Sequence, residues 1–473
     1  MQRGAGDDLL IKCAYYLYGG PGYNDIKYSL FDHPDTMESY GLCHAVAAYV
    51  YLNDASAFHG LSSAIIAQLL QVLDHVDAQP MPPAGFDAFI YNEGSRRRQS
   101  LLSWVHTPAG GLEIIKTSSN PDMTDNNDCY SLAGAVFDVF DSNNTRIGSI
   151  TTDPDGRGRL DDIEPGSGYY LVEVEPPQGF ALNATEFSFT ITADQTTTVT
   201  VSNIPQNDPI GILLRKQDAG TGTANPQGNA GLLGAEFTVR YYEGLYTSAG
   251  QLSDVAPART WVFKTDEDGT AFFTDAYLVS GDPFYYAGNG DPTIPLGTMT
   301  VQETKAPDGY LINDELFIRQ ITPEGAAESV RTYNAPIVPE HTIRGGAEIE
   351  KWDFELNRRA APQGDAALES AVLEIWNRSA GSVLVGGVEC APNTVVHTLI
   401  TDADGWAGTA NDLLPYGSYE IIEKSPPTGY LDMFVVFSCS QAVPPLFVIC
   451  GVLGAAATIC VEFGAPNSVL GNP

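Results

Sequence analysis

The segment VEVEPPQGF, residues 172–180, decides the fold because closely related segments occur twice more in the chain. VQETKAPDGY occupies residues 301–310, and IEKSPPTGY occupies residues 422–430. In each copy a strand-like run ends at a glutamate, and a proline follows four residues later, before a glycine and an aromatic residue. The three glutamates are Glu173, Glu303 and Glu423. Such recurrence indicates an internal repeat, which constrains the architecture more strongly than any single element does.

Three further features recur in the same order before each of these segments. They are an alternating strand with a lysine at its end (LEIIK, ILLRK, AEIEK), a small-residue turn into an apolar strand (LAGAVFDVF, LLGAEFTVRYY, LESAVLEIW), and an acidic turn (TDPDG, TDEDG, TDADG). Because Asp and Gly tolerate positive φ, the acidic segments are typical of hairpin turns. Short alternating strands separated by turn signals predict antiparallel β-sandwiches.

We therefore expect a mainly β chain of tandem antiparallel β-sandwiches after a small α+β N-terminal domain. The expected boundaries are 1–108 for the N-terminal module and 109–207, 208–340 and 341–473 for the three repeats. Two segments of the N-terminal module have helical spacing. One spans residues 39–51, and the other begins near Ser62 or Ser63, with Ile65, Ile66, Leu69, Leu70, Leu73 and Val76 on one face.

Composition excludes several classes of protein. The 59 acidic and 24 basic residues give a formal net charge of −35, which argues against a nucleic-acid partner because phosphate binding needs a basic surface. The seven cysteines lack the spacing of a zinc site or of a disulfide framework. The acidic turns supply too few oxygen ligands for an EF-hand, so no metal and no cofactor are expected.

The ordered lysine, glutamate and C-terminal asparagine of each repeat resemble the Cna B-type domain, also called the SpaA-type or prealbumin-like domain, of Gram-positive pilins and adhesins. The resemblance implies that the lysine attacks the asparagine carboxamide, with the glutamate as catalytic group, to form an intramolecular isopeptide bond. The implied sets are Lys116, Glu173 and Asn203 in repeat 1, Lys216, Glu303 and Asn334 in repeat 2, and Lys351, Glu423 and Asn467 in repeat 3.

The residue types suit this chemistry. An exposed lysine is protonated at neutral pH and is a poor nucleophile, whereas burial favours the neutral amine. Burial also favours a protonated carboxylic acid, which we expect to polarise the asparagine carbonyl. Folding holds the amine and the amide together, and this proximity replaces a separate enzyme.

Repeat 3 departs from the pattern. Gly464 stands where repeat 2 has Asn334, and Asn467 follows three residues later. Repeat 3 is therefore expected to form a bond only if Asn467 reaches Lys351. Otherwise Lys351 and Glu423 remain a buried ion pair.

The N-terminal segments IKCAYYLYGGPGY and SYGLCHAVAAYVY resemble thioester-type adhesin domains. In that family a cysteine near the first strand bonds to a glutamine in a Thr-Gln-x-Ala helix. Cys13 matches the cysteine, and the helix reads Leu42-Cys43-His44-Ala45, from which we expect His44 to stand in place of the glutamine. Because an imidazole cannot form a thioester, we expect a degenerate module that binds its ligand without a covalent bond.

These features predict a cell-surface adhesin or pilin-like stalk outside the bacterial cell, which contacts a host or neighbouring-cell surface ligand or other pilus and cell-wall components. The cross-linking is single-turnover, so we expect no enzyme. A passive spacer and a surface hydrolase remain the alternatives, although the sequence has no G-x-S-x-G or H-E-x-x-H motif. The uncharged segment 446–461 is shorter than a membrane span, and the N-terminus lacks the apolar core of a signal peptide, so we expect a fragment without a membrane span.

Overall fold

The computed structural model describes residues 5–83, 85–91, 101–353, 356, 362–431, 436–440 and 461–462. The chain divides into two compact units. The first comprises Met1–Ser119 and Ser131–Ile204, and the second comprises Asn120–Tyr130 and Pro205–Pro473. Across the described residues, no helix combines the length and the apolar character needed to cross a membrane.

The N-terminal part of the first unit is mainly helical. It contains α1 (Ala5–Tyr16), α2 (Tyr23–Leu30), α3 (Met37–Leu52), a 3₁₀ turn (Ala55–Phe58), α4 (Ser63–Asp77) and a hairpin of β1 (Phe86–Tyr91) and β2 (Leu101–His106). Both predicted helices are confirmed. The side chain of Thr36 accepts a hydrogen bond from the Ser39 amide at the start of α3, and Ser62 does the same for Ile65 at the start of α4. These caps satisfy amide groups that the first turn of a helix leaves without partners.

Helices α1, α3 and α4 share one apolar core. Its buried residues include Cys13, Cys43, Leu69, Val72 and Val76. On α4 the buried stripe is Leu69, Val72 and Val76 at spacings of three and four residues, the spacing of one helical face. The apolar face predicted from the sequence is wider than the buried stripe, because Ile65 and Leu70 are exposed.

Repeat 1 forms a sandwich of two sheets. Its strands are β3 (Gly110–Ser118), β4 (Val136–Phe140), β5 (Arg146–Thr151), β6 (Arg157–Ile163), β7 (Gly166–Glu175), β8 (Phe187–Ile191) and β9 (Thr196–Asn203). The sheet orders are β6-β3-β9 and β5-β4-β7-β8. Alternate residues of both sheets, among them Leu112, Ile114, Phe137, Val139 and Val201, fill the core between them. The predicted β-sandwich is confirmed.

The first and last strands of repeat 1 pair in parallel, whereas the other strand pairs of the repeat are antiparallel. In this register Lys116 lies opposite Val201, and Ser118 lies opposite Asn203. Because the two strands run in the same direction, their C-terminal ends lie at the same end of the sandwich. The lysine and the asparagine meet there.

The second unit begins with the one-turn helix α5 (Pro121–Thr124) and continues with repeat 2. The elements of repeat 2 are β10 (Asn207–Asp208), β11 (Ile212–Asp218), β12 (Glu236–Tyr242), the one-turn α6 (Ala249–Leu252), β13 (Arg259–Lys264), β14 (Thr270–Phe272), β15 (Leu278–Gly281), β16 (Tyr285–Tyr286), β17 (Pro292–Pro295), β18 (Gly297–Lys305), β19 (Leu316–Ile321) and β20 (Ile337–Glu340). The main sheets are β14-β11-β20 and β15-β13-β12-β18-β19. The first and last strands again pair in parallel, with Lys216 opposite Val338.

The four-stranded sheet of repeat 3, β26-β23-β29-β30, has the strand order of the β5-β4-β7-β8 sheet of repeat 1, whereas its β22 and β31 pair antiparallel. Its strands are β21 (Arg344–Gly345), β22 (Glu348–Glu350), β23 (Val372–Asn377), β24 (Val383–Val385), β25 (Val388–Cys390), β26 (Val395–Ile400), β27 (Trp406–Gly408), β28 (Leu414–Pro415), β29 (Ser418–Ser425), β30 (Val436–Ser440) and β31 (Val461–Glu462). The apolar core includes Ile349, Leu373, Ile375 and Ile421.

Candidate cross-linking sites

The acidic turn of each repeat fixes the backbone of the buried lysine. The Lys116 amide donates to the carbonyl of Gly156 at 2.7 Å, and the corresponding bonds in repeats 2 and 3 are Lys216 to Gly269 and Lys351 to Gly405, each at 2.8 Å. Gly156 has φ of 72°, and a Cβ there would lie 2.9 Å from the Lys116 carbonyl oxygen. A glycine is therefore required at this position both by conformation and by the close approach of the lysine strand.

In repeat 1 the structure brings Lys116, Glu173 and Asn203 into one contact group. The Lys116 Nζ donates to Asn203 Oδ1 and lies 2.7 Å from Glu173 Oε1. The Asn203 Nδ2 donates to Glu173 Oε2 at 2.7 Å and to the Ala181 carbonyl at 2.8 Å. Each of the three side chains thus contacts both of the others.

This group is excluded from water. The side chains of Lys116 and Glu173 are both 0% exposed, and Asn203 is fully buried. The ring of Phe137 lies beneath the amine, with its centroid 5.2 Å from Nζ. Burial lowers the pKa of Lys116, and the neighbouring carboxylate of Glu173 opposes this effect. The site therefore favours the neutral, nucleophilic amine more than water does.

Glu173 is oriented differently from the sequence-based expectation. Its Oε2 contacts the Asn203 Nδ2 instead of the carbonyl oxygen, and the Asn183 amide donates to the same Oε2 at 2.8 Å. The carboxyl group therefore bridges the attacking nitrogen and the nitrogen that would leave. This arrangement suits proton transfer between the two nitrogens better than polarisation of the carbonyl.

In repeat 2 the structure places a glutamate where repeat 1 has its asparagine. Glu340 pairs with Asp218, two residues after Lys216, as Asn203 pairs with Ser118, two residues after Lys116. The Lys216 Nζ donates to Glu303 Oε1 and lies 2.7 Å from Glu340 Oε1. The contact group of repeat 2 therefore consists of one lysine and two glutamates.

The expectation that Asn334 is the partner of Lys216 is wrong. Asn334 is exposed and lies in the connection between β19 and β20, where its carbonyl accepts from Arg319 Nε at 2.7 Å. Residues 322–336 form this connection, whereas only residues 192–195 join β8 to β9 in repeat 1. The longer connection displaces Asn334 from the strand, and Glu340 takes its position.

Glu340 is a buried acid in an unusual environment. Its side chain is 0% exposed, and burial raises its pKa to about 7, against the influence of Lys216. Like-charge repulsion from Glu303 and Asp218 contributes to this raised pKa. In the described part of the chain, the Lys216 amine, 2.7 Å from Oε1, is the only donor at the carboxyl group of Glu340. No backbone amide donates to this carboxyl group, whereas the Asn183 amide donates to Glu173 in repeat 1.

Repeat 3 retains the first two members of the group. Lys351 Nζ donates to Glu423 Oε1, and the two side chains are 4% and 3% exposed. Two residues after the lysine, Asp353 accepts from the Tyr430 hydroxyl at 2.9 Å, as Asp218 accepts from Tyr310 in repeat 2. The expected third member, Asn467, lies outside the described residues.

In the N-terminal module, Cys43 of α3 packs in the same core as Cys13. Cys13 and Cys43 are 1% and 3% exposed, whereas His44 is exposed on the next position of α3. Successive helix positions lie about 100° apart, so Cys43 is turned into the core and His44 lies at its exposed edge. Cys43 is thus the helix residue that packs with Cys13 in the core.

Both thiols are poor nucleophiles in this environment. Burial raises the pKa of Cys13 to about 12 and that of Cys43 to about 11. Both residues and His44 line a cavity of about 460 Å³, whose walls also carry Tyr40 and Trp104. Cys13 itself lies in α1, not in a strand.

Comparison with known proteins identifies the domain families. Residues 118–205 and 224–336 match the SpaA prealbumin-like fold domain, and residues 2–83 match the thioester domain. The chain thus has two segments that match the SpaA prealbumin-like fold domain, and a segment that matches the thioester domain precedes them in sequence. No curated protein matches the chain.

Among solved structures, the TIE protein of Bacillus anthracis is similar over 93% of this chain and 87% of its own, with 16% identity and a TM-score of 0.45. The major pilin subunit BcpA of Bacillus cereus matches 74% of this chain and 95% of its own, with 15% identity and a TM-score of 0.25. A C-terminal fragment of the pilus adhesin SpaC from Lactobacillus rhamnosus GG matches 49% of this chain and 97% of its own, with 17% identity and a TM-score of 0.28.

Proposed function

We propose that the chain is a pilin-like or adhesin-like stalk of the bacterial cell surface, in which repeat 1 is locked by an isopeptide bond between Lys116 and Asn203. The observation that carries this proposal is the buried contact group of Lys116, Glu173 and Asn203. The match to SpaA prealbumin-like and thioester domain families supports it. No catalytic turnover is involved, because each chain consumes its own amine and amide once.

The geometry supports a defined order of proton transfers. The neutral Lys116 Nζ attacks the Asn203 carboxamide carbon, and Glu173 Oε1, 2.7 Å from the amine, accepts the proton that Nζ releases. The protonated carboxyl group of Glu173, whose Oε2 lies 2.7 Å from Asn203 Nδ2, then returns this proton to the leaving nitrogen. One C–N bond forms, one breaks, and ammonia leaves. Proximity within the folded core supplies the rate enhancement that an enzyme would otherwise provide.

The reaction relieves an electrostatic cost. A protonated lysine and an ionised glutamate at this site are both removed from water, and burying charges is unfavourable even when they are paired. Conversion of the amine to an amide removes the lysine charge from the interior permanently. The fold thus favours the product over the ionised reactants.

A bond at this position suits a chain under tension. Lys116 and Asn203 lie near the C-terminal ends of the paired first and last strands and are 87 positions apart in sequence. Force that enters at β3 and leaves at β9 would pass through the covalent bond, so the intervening residues would carry no load. Local opening and proteolysis of the repeat would be limited in the same way.

The N-terminal module would supply the contact with a host or neighbouring-cell surface in this proposal. Its cavity of about 460 Å³ and the raised pKa values of Cys13 and Cys43 favour non-covalent binding of a ligand over thioester chemistry. A passive spacer with no ligand of its own is the second candidate. This candidate is favoured because α3 directs Cys43, and not a glutamine, towards Cys13 in the core.

Single-molecule extension of the full chain tests the stalk function directly. Pulled from its two ends, the wild-type chain should show no extension from the residues between Lys116 and Asn203. The Glu173→Ala variant should show this extension as an additional unfolding event. An unfolding event of repeat 1 in the wild-type chain, with the same length as in the variant, would contradict the load-bearing role.

A further inference from the structure

Repeat 2 contains a second reactive group that departs from the lysine–asparagine pattern. Its members are Lys216, Glu303 and Glu340, all buried, and the amine of Lys216 contacts both carboxyl groups. Two acids and one amine would carry a net negative charge if all three were ionised. Because a buried uncompensated charge is costly, one acid is expected to keep its proton.

We propose that the Lys216 Nζ condenses with the side-chain carboxyl of Glu340 to form an amide, with release of one water molecule. This inference rests on the cross-linking chemistry proposed for repeat 1 and extends it to a carboxylic acid. The Nζ–Cδ bond forms, the Cδ–OH bond of protonated Glu340 breaks, and the two hydrogens of the water come from the amine and from the acid. No oxidant or activating group is consumed.

The geometry distinguishes the acid that reacts from the acid that assists. Glu303 occupies the register position of Glu173: each lies opposite the phenylalanine of the adjacent strand, Phe237 and Phe137 respectively. Its Oε2 accepts from the Asn313 amide at 2.7 Å, just as Glu173 Oε2 accepts from Asn183. Glu303 is thus held in the assisting orientation found in repeat 1.

Glu340 has the opposite character. It stands at the register position of the reacting Asn203, and within the described residues no backbone amide donates to its carboxyl group, which contacts the Lys216 amine at 2.7 Å. The raised pKa keeps a substantial fraction of this acid protonated at neutral pH, which is the form that can lose hydroxide as water. The ring of Phe237 lies 5.0 Å from the Lys216 Nζ, so the amine has the same apolar support as in repeat 1.

Condensation also removes buried charge from the interior. A carboxylate that is paired only with a buried amine is costly to bury, and a neutral amide in its place is less costly. The water released by condensation leaves the core for bulk solvent. Because the site excludes water, it does not return to hydrolyse the amide. The folded state therefore favours an amide that free lysine and glutamate side chains do not form in water.

Peptide mapping of the denatured full-length chain after trypsin digestion tests the proposal. An amide at Lys216 blocks cleavage there, so residues 216–240 should be recovered joined to residues 332–344, with the loss of one water. The second peptide contains both Asn334 and Glu340, and the two candidates are separated by the mass lost and by fragment ions. A bond to Asn334 releases ammonia, and a bond to Glu303 joins residues 265–305 instead.

The Glu340→Gln variant provides an isosteric control. If both chains condense, the variant loses ammonia where the wild type loses water, and the two products are chemically identical. If neither condenses, the linear peptides differ by the exchange of acid for amide. Lys216→Arg should show no joined peptide at all.

Recovery of unlinked peptides 217–240 and 332–344 from the wild type, with their linear masses, would overturn the inference. A joined peptide that involves Asn334 or Glu303 would overturn it as well. The bond of repeat 1 is read from different peptides, so failure in repeat 2 with success in repeat 1 leaves the proposed function intact. Failure in both repeats removes the cross-linking chemistry altogether.

Discussion

Asn203 and Glu340 occupy the same position in their respective sheets: each lies in the last strand opposite the residue that follows the buried lysine by two. One is a carboxamide and the other is a carboxylic acid. The repeats therefore share a common framework for bringing an amine to a carbonyl carbon, and they differ in the group that would leave. Ammonia would leave in repeat 1 and water in repeat 2.

Replacing Glu173 tests the proton-transfer role in repeat 1. In Glu173→Ala the Lys116 amine and the Asn203 amide should remain unlinked, so the chain should be heavier by one ammonia than expected from the substitution alone. Loss of a cross-link over this sequence separation should lower the free energy of unfolding by roughly 4–5 kcal/mol on the loop-entropy treatment of cross-links. Mass spectrometry and urea denaturation measure the two effects.

Glu175→Ala is the matched control, because Glu175 lies two residues further along the same strand and is exposed. It should retain the bond and change stability by less than about 0.5 kcal/mol. Equal effects of the two substitutions would show that Glu173 acts only as a packed side chain.

Asn203→Asp tests whether the framework accepts either leaving group. The variant should form the same Lys116 amide as the wild type, but with release of water, so the two final products should have identical masses. Peptide mapping of residues 160–215 measures this. A variant that stays unlinked while it folds normally would restrict repeat 1 to carboxamides and would weaken the argument for Glu340.

The buried acid of repeat 2 predicts a pH dependence in a variant that cannot cross-link. In Lys216→Met the pKa of Glu340 should rise beyond about 7, because Lys216 is the group that lowers it. An acid whose pKa is higher in the folded state binds its proton more tightly there. It stabilises the fold below its unfolded pKa of about 4.5, and this contribution is lost as pH rises through the folded pKa.

Urea denaturation from pH 4 to 9 measures this effect. The free energy of unfolding of Lys216→Met should fall by about 3 kcal/mol or more across this range relative to Lys216→Met/Glu340→Gln. The double variant is the control because its amide does not titrate. Parallel curves for the two variants would show that Glu340 has an ordinary pKa.

The N-terminal cysteines should be unreactive in the folded chain. At pH 8 Cys13 and Cys43 should resist alkylation by iodoacetamide, because both are buried and have pKa values of about 12 and 11. After denaturation both should react. Methylamine should give no adduct in this module, and an adduct at a partner of Cys13 would demonstrate a thioester that the present account does not include.

The contact group of repeat 1 could be predicted from sequence because each of its members lies at a fixed place in a repeated motif. Lys116 lies near the end of the first strand, Glu173 precedes the Pro-x-Gly-aromatic corner, and Asn203 ends the last strand. These positions depend on short turns whose lengths are constrained. The predicted set therefore coincides with the observed contact group.

Repeat 2 could not be predicted in the same way, because spacing in sequence does not determine register when a connection lengthens. Asn334 lies 31 residues after Glu303, close to the 30 that separate Glu173 and Asn203, but it falls in the connection before β20. In the structure Val338 and Glu340 are buried and alternate with the exposed Ile337 and Pro339, but the sequence Ile-Val-Pro-Glu has no alternation of apolar and polar residues that would show this. A buried glutamate in such a strand is unusual enough to indicate a reacting or paired group.

The N-terminal module shows a related limit. The segment Leu42-Cys43-His44-Ala45 predicts His44 at the glutamine position, but the sequence alone does not show which of these residues α3 turns towards the core. Cys43 is directed at the core beside Cys13, and His44 is not. Face assignment on a helix requires the packing of neighbouring elements, here α1 and α4.

The bond in repeat 1 is tested most directly by peptide mapping of the full-length wild-type chain. After denaturation and trypsin digestion, residues 99–146 should be recovered joined to residues 160–215, with the loss of one ammonia and fragment ions that place the bond between Lys116 and Asn203. Recovery of residues 117–146 as a separate peptide, with residues 160–215 at their linear mass, would contradict the account.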